Sequence, residues 1–242
     1  MSEKWLTGRV IENRHWTPSL FSLRVEGAPL GFKAGQFVRI ALDVNGERVA
    51  RAFSFVNPPD APLLEFYGVV VPEGPLSPRL EKLRAGDSLY VAPNPAGFLV
   101  LSEVPEAQTL WLMATGTGIA PFLSILQTEE PWRRFREVVL VHGVRHASEL
   151  TYREVIAKTP ARYVPLVTRE AASGALAGRI PAAIADGRLE AAAGVALKAE
   201  TSHVMLCGNP AMLKDVQAVL MARGMRKHRR RTPGHIAVES FW

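Results

Sequence analysis

A two-domain architecture, an antiparallel β-barrel followed by an α/β unit built on a parallel sheet, is predicted by three features of the sequence. The chain has 242 residues, more than one domain ordinarily holds. Its first part consists of short β-rich runs between clusters of Gly, Pro, Asn and Asp, the pattern of a small barrel or sandwich. After Pro105 apolar strands alternate with helical segments, the pattern of βαβ units. The change falls near residue 102, so domains spanning residues 1–102 and 103–242 are expected.

In the first part, strands are expected at residues 8–13, 20–25, 36–42, 52–56, 64–71 and 88–91. Phe21, Leu23 and Val25 alternate with Ser22 and Arg24, which sends one set inward and the other outward. A helix-like stretch at 76–83 interrupts the strands. In the second part, strands are expected at 109–114, 137–143, 162–168 and 203–207, with helices at 121–127, around 149–158 and at 211–223. Strands that alternate with helices imply a parallel sheet covered on both faces. The Ala/Gly-rich stretch at 170–177 reads as a surface loop, and there is no internal repeat.

Composition excludes several classes of chemistry. Hydrophobic residues make up 48% and charged residues 21%, as in a folded globular chain rather than a disordered one. Cys207 is the only cysteine, which rules out an internal disulfide and a four-thiolate cluster. The six histidines show no paired spacing, so no metal is expected and any redox centre must be organic. No basic leader precedes an apolar stretch and no apolar run approaches the roughly 18 residues of a membrane span, so a cytoplasmic protein off the membrane is expected, a monomer by default. The net charge of +6 points to an acidic partner. Nucleic acid, anionic lipid, a phosphorylated cofactor and an acidic protein all satisfy that condition.

Four segments carry candidate chemistry. In ATGTGIAPFLSIL, residues 114–126, an apolar strand ends in Thr115, Gly116, Thr117 and Gly118, and Pro121 suits the first turn of a helix. Small residues let backbone N–H groups approach a phosphate closely, although many β–α turns need glycine for shape alone. Leu206, Cys207, Gly208, Asn209 and Pro210 likewise follow an apolar strand and open a helix, at the carboxyl end where open α/β sheets bind ligands. Arg145, Thr168 with Arg169, and Arg179 follow two further strands. Their forked guanidinium groups suit a 2′-phosphate, which favours NADP over NAD, while a solvated surface role stays open for each. In the first part, alternation along Arg51, Ala52, Phe53 and Ser54 puts Arg51 and Phe53 on one face, a cation for pyrophosphate beside an aromatic for ring packing. The chain closes on Phe241 and Trp242, aromatics that either pack into their own domain or cover a flat ligand.

RAFSF with the following VNPPD, LEFYGVVVPEGPLSPRL, ATGTGIAPFLSIL, VHGVR, SHVMLCGNP and RRRTPGHIAVESFW occur in this order over nearly the whole chain. Together they resemble the bacterial ferredoxin (flavodoxin)–NADP reductases. The resemblance implies an FAD-binding barrel followed by an NADP-binding α/β domain, and electron transfer between NADPH and a ferredoxin or flavodoxin. It places FAD on Arg51, Ala52, Phe53, Ser54, Tyr67, Gly68, Val69, Val70, Pro75, Leu76, Ser77, Thr117, Phe241 and Trp242. It places NADP on Val144, Arg145, Thr168, Arg169, Arg179, Asn209, Pro210 and Ala211. By the same resemblance, Ser54 sits near flavin N5 and Cys207 near the nicotinamide, Glu239 assists proton movement, and Trp242 stacks on the flavin and must move to admit the nicotinamide. Two departures are Phe at position 53, where Tyr is common, and Pro at position 75, where a charged residue can occur. Lys227, Arg229, Arg230 and Arg231, close in sequence to that terminus, are expected to form a basic rim for the protein partner.

Overall fold

The computed structural model describes residues 4–27 and 30–240. Its first half is a six-stranded antiparallel sheet of β1 (Leu6–Thr17), β2 (Leu20–Glu26), β3 (Phe37–Val44), β4 (Glu47–Ser54), β5 (Leu64–Val69) and β6 (Ser88–Val91), in the order β4-β3-β6-β1-β2-β5. A bridge between Phe55 and Phe66 joins its two edges and closes the barrel. Phe21, Leu23, Val25, Val38, Ile40 and Phe66 fill the interior. Ser22, expected to face outward, is buried because Trp16 donates to its hydroxyl at 3.1 Å.

Strand β4 begins five residues before the expected 52–56 run. Asn45 and Gly46 both have positive φ (53° and 84°), the conformation of a two-residue hairpin turn, and they set Val44 opposite Glu47. The short helix α1 (Ser77–Leu80) drops the fully buried Leu80 into the barrel.

The second half is an all-parallel sheet of β7 (Thr109–Thr115), β8 (Glu137–Val144), β9 (Arg162–Val167), β10 (Leu176–Ala177), β11 (Ser202–Gly208) and β12 (Ile236–Ser240), in the order β10-β9-β8-β7-β11-β12. Helices α2 (Ala120–Leu126), α3 (Glu130–Arg134), α4 (Arg153–Ile156), α5 (Ile180–Ala185), α6 (Arg188–Ala193) and α7 (Pro210–Ala222) connect the strands. From β7 the chain runs outward through β8, β9 and β10, then returns on the other side as β11 and β12. The switch point therefore lies between β7 and β11. Three elements, α3, α5 and α6, were not anticipated, nor was β12, and the expected 170–177 loop ends in the two-residue β10.

The helix expected at 149–158 shrinks to α4 and a 3-10 turn at Ala147–Glu149. Tyr152 stands between them in the left-handed region (φ 56°), which ends a helix. Tertiary contacts hold it there: its ring packs 4.7 Å from Trp16 and its hydroxyl donates to Glu65 Oε1 at 2.8 Å.

The two halves share one apolar core. Leu20, Val56, Tyr67 and Leu99 pack with Phe122, Leu123, Ile125 and Tyr152. Polar bonds cross the same seam: Ser124 Oγ donates to the Asn57 carbonyl at 2.7 Å, Gln127 Nε2 to the Val56 carbonyl at 2.8 Å, and Thr151 Oγ1 to the Tyr67 hydroxyl at 2.9 Å. No helix among the described residues is long and apolar enough to cross a membrane.

Candidate functional site

Strands β7 and β11 are buried almost throughout, because Leu110 to Ala114 and Val204 to Cys207 are apolar and covered on both faces. Their carboxyl ends meet in two interlocked turns. Thr115 Oγ1 accepts from the Asn209 N–H at 2.9 Å, so the hydroxyl of one strand end holds the backbone of the other. A Cβ on Gly118 would lie 2.7 Å from the Cys207 carbonyl oxygen and 2.8 Å from Gly208 Cα, so glycine at 118 is a packing requirement. Gly208 has φ +130°, a backbone that side-chain-bearing residues rarely adopt. Asn209 caps α7, its Oδ1 accepting from the Ala211 and Met212 N–H groups. With that oxygen and its own N–H engaged, the Asn209 side-chain NH₂ is left for a ligand; Pro210 and Ala211 form the first turn of α7.

The arginine cluster forms at neighbouring strand ends. The Arg169 N–H donates to the Arg145 carbonyl at 3.0 Å and the Thr168 N–H to that of Val144 at 3.1 Å, which sets Arg145 and Arg169 side by side. Arg179 joins them because Gly178 N–H bonds the Val167 carbonyl at 3.0 Å before α5 begins. All three arginines and Thr168 are exposed. An acid lies among them: Glu170 accepts from the Ala147 N–H at 2.6 Å, which with the nearby His146 holds its carboxyl below the usual range.

Register sorts the barrel residues. Arg51 and Phe53 pair with Ile40 and Val38 of β3, while Ala52 and Ser54 pair with Arg39 and Phe37 and share the opposite face. Phe53 is half-buried, edge-on to Phe66 at 6.4 Å, and Arg51 is exposed, donating to the Ala50 carbonyl at 2.7 Å. Ser54 is only 3% exposed and its hydroxyl has no hydrogen-bond partner among the described residues. Glu239, on β12 opposite Cys207, is in the same condition at Oε1, and burial pushes its carboxyl up to about 7. Phe37 links the two. It is the cross-strand partner of Ser54, and Gly97 stands so close to both its ring and Glu239 Oε2 that a Cβ there would lie 3.0 Å and 2.9 Å from them. A cavity of about 450 Å³ opens at this place, lined by Phe37, Gly97, Phe98, Arg229, Arg230 and Glu239. Phe98 is 62% exposed with the Arg230 guanidinium 5.0 Å from its ring centroid.

An open α/β sheet with a switch-point crevice, facing a barrel rim that buries an unpartnered hydroxyl, fits a dinucleotide site against a second cofactor domain. Comparison with known proteins agrees. Residues 11–97 match the family model described as the oxidoreductase FAD-binding domain, and residues 112–218 match the oxidoreductase NAD-binding domain. The chain is 51% identical to the flavodoxin/ferredoxin–NADP reductase of Shigella flexneri and 50% identical to that of Escherichia coli. Each alignment covers 98% of this chain and 99% of the relative. A crystal structure of a ferredoxin NADP+ reductase from Neisseria gonorrhoeae, with bound FAD and NADP, superposes with a TM-score of 0.95 at 34% identity over 99% of both chains.

The chain belongs to the flavodoxin/ferredoxin–NADP reductase family.

Within this reductase fold, the expected site residues divide by how much of each is free. Leu76 and Tyr67 are 2% and 4% exposed, buried in the barrel and in the seam. The Gly68 backbone lies against Phe21, 2.7 Å from where a Cβ would stand, and Val69 and Val70 are half-buried. Ser77 Oγ accepts from the Val71 N–H at 2.9 Å and the Pro75 carbonyl accepts from Arg79 at 2.7 Å, so this turn is held by its own bonds. Cys207 is fully buried; desolvation, with Glu239 nearby, pushes its thiol well above the ordinary value and keeps it protonated. Thr117 lies half-exposed in the turn after β7. Phe241 and Trp242 lie outside the described residues. Among the described residues no group of three or more His, Cys, Asp and Glu is placed to hold a metal.

Phe37, Gly97 and His142 were not singled out from sequence, although His142 lies within VHGVR; Thr115 was read as part of the turn, but not its clamp on Asn209. Nothing in sequence spacing brings Phe37 and Gly97 to Glu239.

Proposed function

We propose that this protein is an FAD-dependent oxidoreductase that moves electrons between NADPH and a ferredoxin or flavodoxin. The observation that carries the reading is the pair of buried, unpartnered polar atoms, Ser54 Oγ from the barrel and Glu239 Oε1 from the sheet, in residues that both neighbour Phe37. A buried hydroxyl and a buried carboxyl without partners cost free energy, and a polar ring bound between them would relieve both. When bound, FAD supplies the chemistry: it accepts a hydride from NADPH and passes the electrons on singly.

The residues present fit that cofactor. Arg51 offers an exposed guanidinium to the pyrophosphate, and Ala52, Phe53 and Ser54 line the ring. By the resemblance of the sequence motifs, Tyr67 to Val70, Pro75 to Ser77, Thr117, Phe241 and Trp242 complete the FAD set, the last two lying outside the described residues. For the nucleotide, Arg145, Arg169 and Arg179 with Thr168 and Val144 receive the 2′-phosphate end, and Asn209, Pro210 and Ala211 the nicotinamide side. Cys207, held as a neutral thiol, is a positioning contact for the nicotinamide and not a nucleophile. Glu239, near 7, holds or yields a proton beside the ring at neutral pH. The division of labour follows domains of residues 1–102 and 103–242, and the protein acts as a cytoplasmic monomer.

The test is direct. Purified protein is expected to be yellow with bound FAD, and to bleach under anaerobic conditions on addition of NADPH much faster than with NADH. A colourless protein that cannot be reconstituted with FAD overturns the assignment.

A further inference from the structure

We propose that His142 is a positioning residue for this reductase: its ring N–H holds the Gly116 carbonyl and so sets the direction of the Gly116–Thr117 peptide at the crevice. The inference rests on the oxidoreductase reading above and extends it to a side chain that lines no cofactor. His142 lies on β8, beside Ala114 of β7 and Pro165 of β9, and is fully buried. A buried imidazole is tolerated when both ring nitrogens find partners. Nε2 lies 3.1 Å from the Gly116 carbonyl oxygen and Nδ1 lies 3.4 Å from the Tyr163 hydroxyl.

These partners fix the tautomer. A carbonyl oxygen only accepts, so Nε2 carries the hydrogen and donates it; Nδ1 is then bare and accepts from Tyr163. Burial also lowers the histidine to about 4, so the neutral ring persists at neutral pH.

The held peptide is the one that needs an anchor. Residues on either side are fixed from β11 and the turn that follows it: Thr115 through the Asn209 N–H, and Gly118 by its closeness to the Cys207 carbonyl. Gly116 between them has φ +53°, opens the 3-10 turn Gly116–Ile119, and has nothing within 4 Å of the place a Cβ would occupy, so the backbone bonds of that turn and the His142 contact are what restrain it. Glycine rotates freely between such states. In a planar trans peptide the carbonyl of residue 116 and the N–H of residue 117 point in opposite directions. With the carbonyl held toward His142, the Thr117 N–H is directed away from the sheet interior. Loss of the His142 bond leaves only the 3-10 turn to hold this peptide, so it tilts more easily and moves a donor out of place, and catalysis by alignment is sensitive to such small displacements.

Two variants and a spectrum test this in the FAD-loaded protein. His142→Met keeps much of the shape and removes the donor, whereas His142→Gln keeps an N–H near the Nε2 position. The rate of flavin reduction by saturating NADPH is expected to fall about tenfold in His142→Met and to recover to within about threefold of wild type in His142→Gln. KM for NADPH and FAD content are expected to change less than about threefold in either variant. Tyr163→Phe is expected to stay within about twofold, since a bare Nδ1 tolerates loss of a long hydrogen bond better than a lost carbonyl anchor. In the resting protein, ¹⁵N-histidine NMR is expected to show His142 protonated at Nε2 with a slowly exchanging proton. A His142→Met protein that binds FAD and matches the wild-type rate overturns the inference, as does a His142 signal protonated at Nδ1. Should the Met variant not fold, the tautomer and the Gln variant's rate decide. Wild type that holds FAD yet is not reduced by NADPH overturns the functional reading itself, a result distinct from either.

Discussion

The two walls of the crevice are built on opposite principles. On the sheet side, the ends of β7 and β11 are positioned by internal bonds and tight backbone packing: the Thr115 hydroxyl clamps the Asn209 N–H, Gly118 leaves no room for a Cβ beside the Cys207 carbonyl, and both strands are buried. On the barrel side, β4 is an edge strand whose residues from Glu47 to Phe53 are exposed or half-exposed, and only Ser54 is buried. Its contribution lies in side chains, above all the Arg51 guanidinium. The difference teaches where each wall is vulnerable. A backbone-built turn fails by steric damage whatever ligand is present, whereas a side-chain-built rim loses affinity while the fold survives.

The largest effect is expected where that contrast is sharpest. Gly118→Val places carbon against the Cys207 and Gly208 backbone, which has no flexible end to give way. A loss of about 3 kcal/mol in unfolding free energy is expected, the upper end of overpacking costs. With Arg51 on the pyrophosphate as proposed, Arg51→Gln would remove a charge-assisted contact worth about 1.5–3 kcal/mol, so FAD affinity is expected to fall roughly 10- to 100-fold. Melting measured against free FAD concentration separates them. Ligand linkage restores the Arg51 variant as FAD is raised, and leaves the Gly118 variant displaced at every concentration. If both recover alike, the two walls are not different in kind.

Glu239 sharpens the comparison from within the sheet side, because β12 carries a titrating group into the crevice. Desolvation raises its carboxyl from the ordinary 4.5 to about 7. Between those values the folded protein keeps a proton that the unfolded chain has released, so this group's contribution to stability declines as pH rises through the interval. Glu239→Gln stays neutral throughout. The wild type is therefore expected to lose about 2 kcal/mol relative to the variant between pH 5 and pH 8. Denaturant titrations of both proteins at several pH values measure this, and a pH-independent difference would mean that water reaches the carboxylate.

Much of this arrangement was legible in the sequence, and the gaps have physical causes. Six barrel strands and the β7 and β11 turns were marked by alternation, apolar runs and small residues, signals that are local. The Asn45–Gly46 turn that starts β4 at Glu47 was also local but was outweighed by the RAFSF segment that followed. The lost turn of helix at Tyr152 was not legible, because its left-handed backbone is held by Trp16 and Glu65, more than eighty residues away. Tyr67 is similar. Its position in the flavin segment was readable, but its hydroxyl serves Thr151 across the seam. β12 was hidden because it is short and follows an Arg-rich loop, so its role as the sixth parallel strand depends on β11 beside it.

The smallest effect concerns the outer edge of the crevice, where neither wall's principle applies. Arg230 stacks near the exposed Phe98 ring and pairs with Glu103 at 3.3 Å, yet its side chain is 67% exposed. An ion pair this open contributes at most about 1 kcal/mol to the fold. Arg230 and neighbouring Arg229 line the same cavity as Glu239, so on the proposed function their charge is expected to steer an acidic protein toward the electron-donating edge. Replacing both by Gln is expected to slow electron transfer to an acidic ferredoxin or flavodoxin about three- to tenfold at low ionic strength. The loss should fade as salt shortens the Debye length toward about 3 Å near 1 M. Reduction of a small neutral dye and the melting temperature are expected to stay unchanged. Equal slowing with both acceptors would place the arginines in the cofactor wall, and would extend the side-chain-built rim of the barrel onto the sheet domain.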